Sequence, residues 1–208
     1  MTKALLLAAL VLPLPLTAQL NPSFGVGRGV LQTDDLMADA YHVQAGAQLM
    51  RINDRVTVRG EALLQQGTAN ASPLSCEQVP QIDCFGRTDE QRLIGGGAHV
   101  RLDFAEFAPG VHLYLAPAGL GVYHLRTDSR ESDGPAGGCV SLGETLPACT
   151  PAAEFSRTAS TLSLGWSTGA GVQAELGRMR VFAEFRAHGM LASAGETGSV
   201  PLTFGVSF

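Results

Sequence analysis

His188 follows Glu184 by four residues and precedes Ser193 by five, with Glu196 just beyond. A histidine flanked by a serine and a carboxylate is the composition of an activated-nucleophile site, in which His188 would take the hydroxyl proton and a carboxylate would orient its ring. The competing reading is a histidine held in a polar network inside the fold, which needs only one carboxylate or carbonyl partner. Five histidines in all, His42, His99, His112, His124 and His188, invite a metal site. They fall on five separate segments, so that no local ligand spacing supports one, and no metal and no cofactor are expected. Four cysteines lie in two polar, turn-rich stretches, Cys76 and Cys84 in one and Cys139 and Cys149 in the other. Zinc is disfavoured by the lack of a C-x-x-C spacing and of any histidine within either stretch. In an oxidising compartment the local pairs Cys76–Cys84 and Cys139–Cys149 are the simplest of three connectivities, each closing one loop. Acidic side chains crowd the same stretches (Glu77, Asp83, Asp89, Glu90, Asp128, Glu131, Asp133, Glu144) and are read as solvated, with divalent-cation recruitment as the alternative.

The elements that would position these groups are strands. Eight are expected, at 23–32, 40–51, 55–66, 92–104, 111–126, 158–176, 179–190 and 199–208. Connections after the second, fourth and sixth are short, whereas those after the first, third, fifth and seventh are longer, residues 67–91 and 127–157 being the largest. Glycine, 25 of 208 residues, is scattered through these segments and argues against helices. Within each strand the side chains sort by parity. Val56, Val58, Ala62 and Leu64 oppose Thr57, Arg59, Glu61 and Gln65; Ile94, Ala98, Val100, Leu102 and Phe104 oppose His99, Arg101 and Asp103. Val181, Ala183 and Phe185 oppose Arg180, Glu184, Arg186 and His188. The charged face carries both signs, which suggests an interlocked network of Arg59, Glu61, His99, Arg101, Asp103, Glu175, Glu184, Arg186 and His188 within a barrel too narrow to hold a water-filled pore. A solvated face around an apolar soluble core is the alternative. Two places break the pattern. Arg28 shares parity with Phe24, Val26 and Val30, which requires a bulge or an inward apolar face there. Pro117 removes a ladder donor, so a bulge or break is expected between Ala116 and Gly119.

Residues 1–18 read as an export signal: Lys3 near the start, an apolar run from Ala4 to Leu16, and Ala18 before the cleavage point. That leaves 19–208 as one barrel domain with 13 basic against 19 acidic residues, every basic one an arginine. No basic patch exists for a phosphate backbone, so a nucleic-acid partner is excluded. The apolar run is too short to span a bilayer as a helix, and no other stretch approaches the required length. The last strand places Leu202, Phe204, Val206 and Phe208 on one stripe, and this stripe is expected to serve as an assembly signal.

The segment from Val181 to His188, the segment from Val200 to Phe208, and Ala170-Gly171-Val172 before a tight turn together resemble the small outer-membrane β-barrel domain family, the OmpA- and OmpX-like eight-stranded barrels of Gram-negative bacteria. The resemblance implies an all-β, antiparallel, up-and-down transmembrane barrel with short periplasmic turns and longer extracellular loops. It also implies outer-membrane localisation, recognition of the last strand by the barrel-assembly machinery, contact with lipid and lipopolysaccharide, and a monomer whose role is structural or adhesive through a loop-bound external ligand. It brings no catalytic residues, and no wall-binding domain is expected after the last strand. Among such barrels, lipid A deacylases place a serine two residues after the histidine, where this chain has Met190. A lipid-modifying enzyme and a soluble, lipocalin-like periplasmic barrel remain the alternatives.

Overall fold

A strand with one apolar and one charged face still carries two edges of unpaired backbone donors and acceptors, and closing a sheet on itself removes both. The computed structural model, which describes residues 21–33, 36–71, 85–133, 153–191 and 197–208, shows that solution. The strands are β1 (Pro22–Thr33), β2 (Leu36–Arg51), β3 (Val56–Ala71), β4 (Phe85–Ala108), β5 (Val111–Asp133), β6 (Ala153–Leu176), β7 (Met179–Met190) and β8 (Thr197–Ser207). Each pairs antiparallel with its sequence neighbours, and β1 pairs with β8 to close the ring.

The stagger of the ring follows from its register. Starting at Pro22, the partners run Ala47, Gly60, Ala98, Leu120, Trp166, Gly189 and Gly198, and return to β1 at Gln32. The path comes back 32 − 22 = 10 residues higher, a shear of ten for eight strands. With about 3.3 Å per residue and about 4.8 Å between strands, this fixes a tilt of roughly 40° and a backbone radius of roughly 8 Å. Side chains from opposite walls can meet across such an interior.

Tight turns cap one end of the barrel. Asn53 Oδ1 accepts the backbone N–H groups of Arg55 and Val56 at 2.8 and 2.9 Å, and Gly110 and Gly177 adopt φ of 75° and 67°, a region that side-chain-bearing residues avoid. The opposite end departs from the expected loop pattern. β1 and β2 pair out to Thr33 and Leu36, which leaves only residues 34 and 35 between them where a longer connection was expected. Thr33 and Leu36 continue the alternation even though their neighbours are acidic. The spans 67–91 and 127–157, expected as loops, are partly strand: β3 reaches Ala71, β4 begins at Phe85, β5 reaches Asp133 and β6 begins at Ala153. Polar residues in register with polar partners extend a ladder as well as apolar ones do. Pairing of β6 with β7 starts only at Gly165 opposite Met190, so β4, β5 and the first part of β6 rise together beyond the rest of the wall. The four cysteines, residues 1–18, Ser193 and Glu196 lie outside the described residues.

Pro117 has the expected effect, with the β5–β6 register skipping between Ala116 and Gly119. β1 has no such irregularity: its pairing is continuous on both sides, Arg28 faces outward with Phe24, Val26 and Val30, and neither a bulge nor an inward apolar face is present. At the closing seam the inner face of β1 carries Gly25, Gly27 and Gly29, opposite Pro201 and Thr203 of β8. A Cβ on Gly27 would stand 2.1 Å from the Leu202 carbonyl oxygen, so the two backbones meet there with no room for a side chain. Gly27→Val is therefore expected to cost at least 1–3 kcal/mol by overpacking, read as a lower urea midpoint of the folded species, while Gly198→Ala, whose Cβ would meet nothing nearer than 3.4 Å, leaves the midpoint within error.

Candidate functional site

The inward faces converge on Arg186 of β7. Its Nη2 donates to Glu184 Oε2 at 2.7 Å and its Nη1 donates to Glu61 Oε2 across the barrel from β3. The same guanidinium lies against the His99 ring of β4, with Nη2 3.1 Å from Nε2, while His99 Nδ1 is 3.4 Å from Glu61 Oε2. Nη1 is likewise 3.0 Å from His99 Nδ1, so the ring lies along the whole guanidinium edge, with Glu61 beside it. One layer nearer the turns, Arg101 gives Nε and Nη2 to Asp103 Oδ1 at 2.9 and 2.7 Å and Nη1 to Gln173 at 2.8 Å, and lies 3.9 Å over the Tyr114 ring. Tyr114 Oη donates to Glu184 Oε2, and Arg59 donates to Ser23 Oγ. Three arginines (Arg59, Arg101, Arg186) face three carboxylates (Glu61, Asp103, Glu184), so the layer is neutral. Neutrality by pairing is what a buried charge requires.

Of the nine residues expected to form this network, Arg59, Glu61, His99, Arg101, Glu184, Arg186 and His188 turn inward. Asp103 and Glu175 stand nearer the mouth: Asp103 is reached by Arg101, whereas Glu175 pairs with Arg180 at 3.4 Å and is half exposed. They line a cavity of about 1350 Å³ at the tight-turn end with Thr57, His112 and Arg178. Of the five histidines, His42, His99 and His188 are buried, and His112 lines the cavity. The shift at Pro117 reverses parity in β5, so His124 and Arg126 point outward. No group of three or more metal-ligating side chains occurs among the described residues.

His188 does not form a catalytic pair with Glu184. Its Nδ1 meets Tyr123 Oη at 3.1 Å, deep inside the barrel, while Glu184 is bound to Arg186 and Tyr114. Beyond His188 the interior changes character, which the parity lists overlooked. Leu31, Leu63, Leu93, Tyr123 and Leu125 pack together across β1, β3, β4 and β5, flanked by Ser199 donating to Gln65 and by Gln91 donating to Thr33. Leu63 has the parity of Arg59 and Glu61, and Leu93 that of His99, so the phase of the charged residues already placed both inside.

Outward-facing residues are apolar over most of the wall: Val26, Val43, Leu64, Ile94, Leu120, Leu164, Phe185 and Phe204 are all exposed. Leu202 and Phe204 of the terminal stripe belong to this belt, and Phe208 is exposed at its tight-turn end.

No protein-family model and no curated protein matches the chain. Among solved structures it is similar to the attachment invasion locus protein Ail of Yersinia pestis, at 14% identity over 92% of this chain and 99% of that one, with a TM-score of 0.48. It is also similar to Neisserial surface protein A, at 15% identity over 90% and 95% with a TM-score of 0.44, and to the N-terminal barrel domain of Pseudomonas aeruginosa OprF, at 14% identity over 91% and 100% with a TM-score of 0.36. The eight-stranded barrel stands on its own closed register, independently of these distant likenesses.

Removing Arg186 alone strands two buried carboxylates. Arg186→Met is expected to cost about 3–5 kcal/mol, whereas Arg186→Met combined with Glu61→Gln and Glu184→Gln recovers most of that loss. Urea unfolding of the folded barrel in detergent checks both.

Proposed function

We propose that this chain is an integral outer-membrane barrel, exported by residues 1–18, that displays a binding surface beyond the membrane on a rigid wall with a closed interior. The observation that carries the proposal is the inversion of faces: an exposed apolar belt around a neutral, cross-bonded ionic layer. A soluble barrel places its apolar residues inside and its charges outside, and only lipid makes the reverse arrangement stable. The neutral layer and the leucine cluster above it support an interior that does not conduct.

The surface-interaction role is supported by the unequal strands. β4, β5 and the first part of β6 extend roughly 20 Å past the apolar belt at a tilt of roughly 40°, farther than structural closure of the ring requires. Segments held on such a scaffold are where binding usually resides. The expected pairs Cys76–Cys84 and Cys139–Cys149 would restrain the two connections carried by these strands, reducing the entropy cost of holding them in a binding shape. A monomer suffices for this role, and lipid and lipopolysaccharide are its surroundings.

Two measurements test the reading. Val43→Arg on the outer face is expected to destabilise the barrel in bilayers by about 2–4 kcal/mol; a soluble barrel would tolerate it with no measurable change. Planar-bilayer recordings of the wild-type protein are expected to show no steady channel, and sustained open currents would overturn the closed interior.

A further inference from the structure

The cavity at the tight-turn end is a pocket with a floor. It measures about 1350 Å³ and reaches from Arg51 and Arg178 at its rim down to Arg59, Arg101 and Gln173. Those last three also border the ionic layer beneath, where Arg186 ties Glu61 to Glu184 and the space left is about 30 Å³. That is room for about two waters. The upper space is ample for a small organic molecule, whose sites usually measure roughly 300–1,000 Å³.

Five arginine side chains line the pocket against three carboxylate side chains, and each of the three is already engaged. Asp54 accepts from Arg51 at 2.8 Å, Asp103 accepts from Arg101 at 2.7 Å, and Glu175 pairs with Arg180 at 3.4 Å. An incoming cation would therefore meet only carboxylates that an arginine already holds. Two arginines have no carboxylate of their own. Arg59 stands three residues inside β3, roughly 8 Å below the start of that strand at a tilt of roughly 40°. It spends one N–H on Ser23 Oγ at 2.8 Å, and no other described residue accepts from it. A guanidinium has five donors, so four remain. The charge of Arg59 is balanced within the ionic layer, yet Glu61 and Glu184 are both bonded to Arg186 and supply it with no acceptor. Arg178, exposed in the turn between β6 and β7, bonds to no described residue. Gln173 adds a donor to the floor, because Arg101 takes its amide oxygen and leaves its amide N–H groups free.

We infer that this pocket is a binding site for a small dianion, one carboxylate or phosphate group held by Arg59 at the floor and the other by Arg178 at the rim. The planar guanidinium takes either group through paired N–H bonds. Donors enclosed in a pocket and left unbonded by the protein are costly unless what enters can accept from them. A monoanion would satisfy one of the two arginines and leave the other as it was. Because the ionic layer closes the floor, the ligand enters and leaves by the same mouth. The inference goes beyond the display of a binding surface at the opposite end, and it holds whichever compartment the mouth faces.

The test is isothermal titration calorimetry of the folded full chain in a non-ionic detergent, with adipate, fructose 1,6-bisphosphate, butyrate and putrescine as probes. At least one of the two dianions is expected to bind about tenfold more tightly than butyrate, the weight of one further charge-assisted contact. The tighter of the two tells carboxylate from phosphate recognition. Arg59→Gln and Arg178→Gln each bring that dianion to the level of butyrate, and Arg178, lying in an exposed turn, can be replaced without disturbing the barrel. Arg55→Gln, at an exposed position of the same end but outside the pocket, leaves binding unchanged. Neither dianion binding more tightly than butyrate overturns the inference, as does putrescine binding more tightly than both dianions. It is equally overturned if the advantage survives in Arg178→Gln, or if Arg55→Gln removes as much of it as Arg178→Gln does.

Discussion

Every backbone donor and acceptor in a strand needs a partner, which a ring without edges supplies within the protein, and nearly everything else in this molecule follows from that constraint. Satisfying it with eight strands and a shear of ten leaves a tube only as wide as its own side chains. The interior is then lined by the alternate residues of the same strands that present Val43, Leu64 and Phe204 to the outside. Those alternate residues are polar over much of their length, so they are placed where water is scarce and must neutralise one another. Arg186 is the result: one guanidinium shared by Glu61 and Glu184 and laid against His99, tying β7 to β3 and β4 across the tube.

Such a hub is costly to desolvate and is weak evidence for stability in its own right. Its value lies in specification. A one-residue slip of any strand would carry its charges into the apolar belt and its leucines into the ionic layer. Register is therefore held from both faces at once. The leucine cluster on the loop side of the interior adds a second marker, because Leu31, Leu63, Leu93 and Leu125 meet only when β1, β3, β4 and β5 are in their native stagger.

Much of this was legible from parity alone. The strand count, the inward set around Arg59, Glu61, His99, Arg101, Glu184 and Arg186, and the break at Pro117 all come from period-two patterning and the chemistry of a missing N–H. What parity could not supply was height. Arg28 looked like an error of phase because an outward arginine is expensive at mid-membrane, yet its long side chain reaches Asp39 at 3.4 Å and lies 5.7 Å from the centre of the Tyr41 ring, partners that only the β1–β2 register brings near. Strand ends were misjudged for the same reason. Thr33, Asp89 and Asp128 look like loop residues until the neighbouring strand is seen to offer them polar partners, and Pro201 is a further proline in the closed ladder, set among neighbours that alternate regularly.

The seam where β1 meets β8 is thinly furnished. Its first strand turns three glycines inward, and its last contributes Pro201, which has no hydrogen to donate. Glycines meet elsewhere in the wall too, as Gly97 meets Gly121 between β4 and β5, but here three follow one another on the inner face of a single strand. This is the one junction of the ring whose two strands are not neighbours in sequence. Along Gly25 to Gly29 the first strand carries no protruding group on its inner face, so it can be laid against the last one there without displacing anything inside the ring.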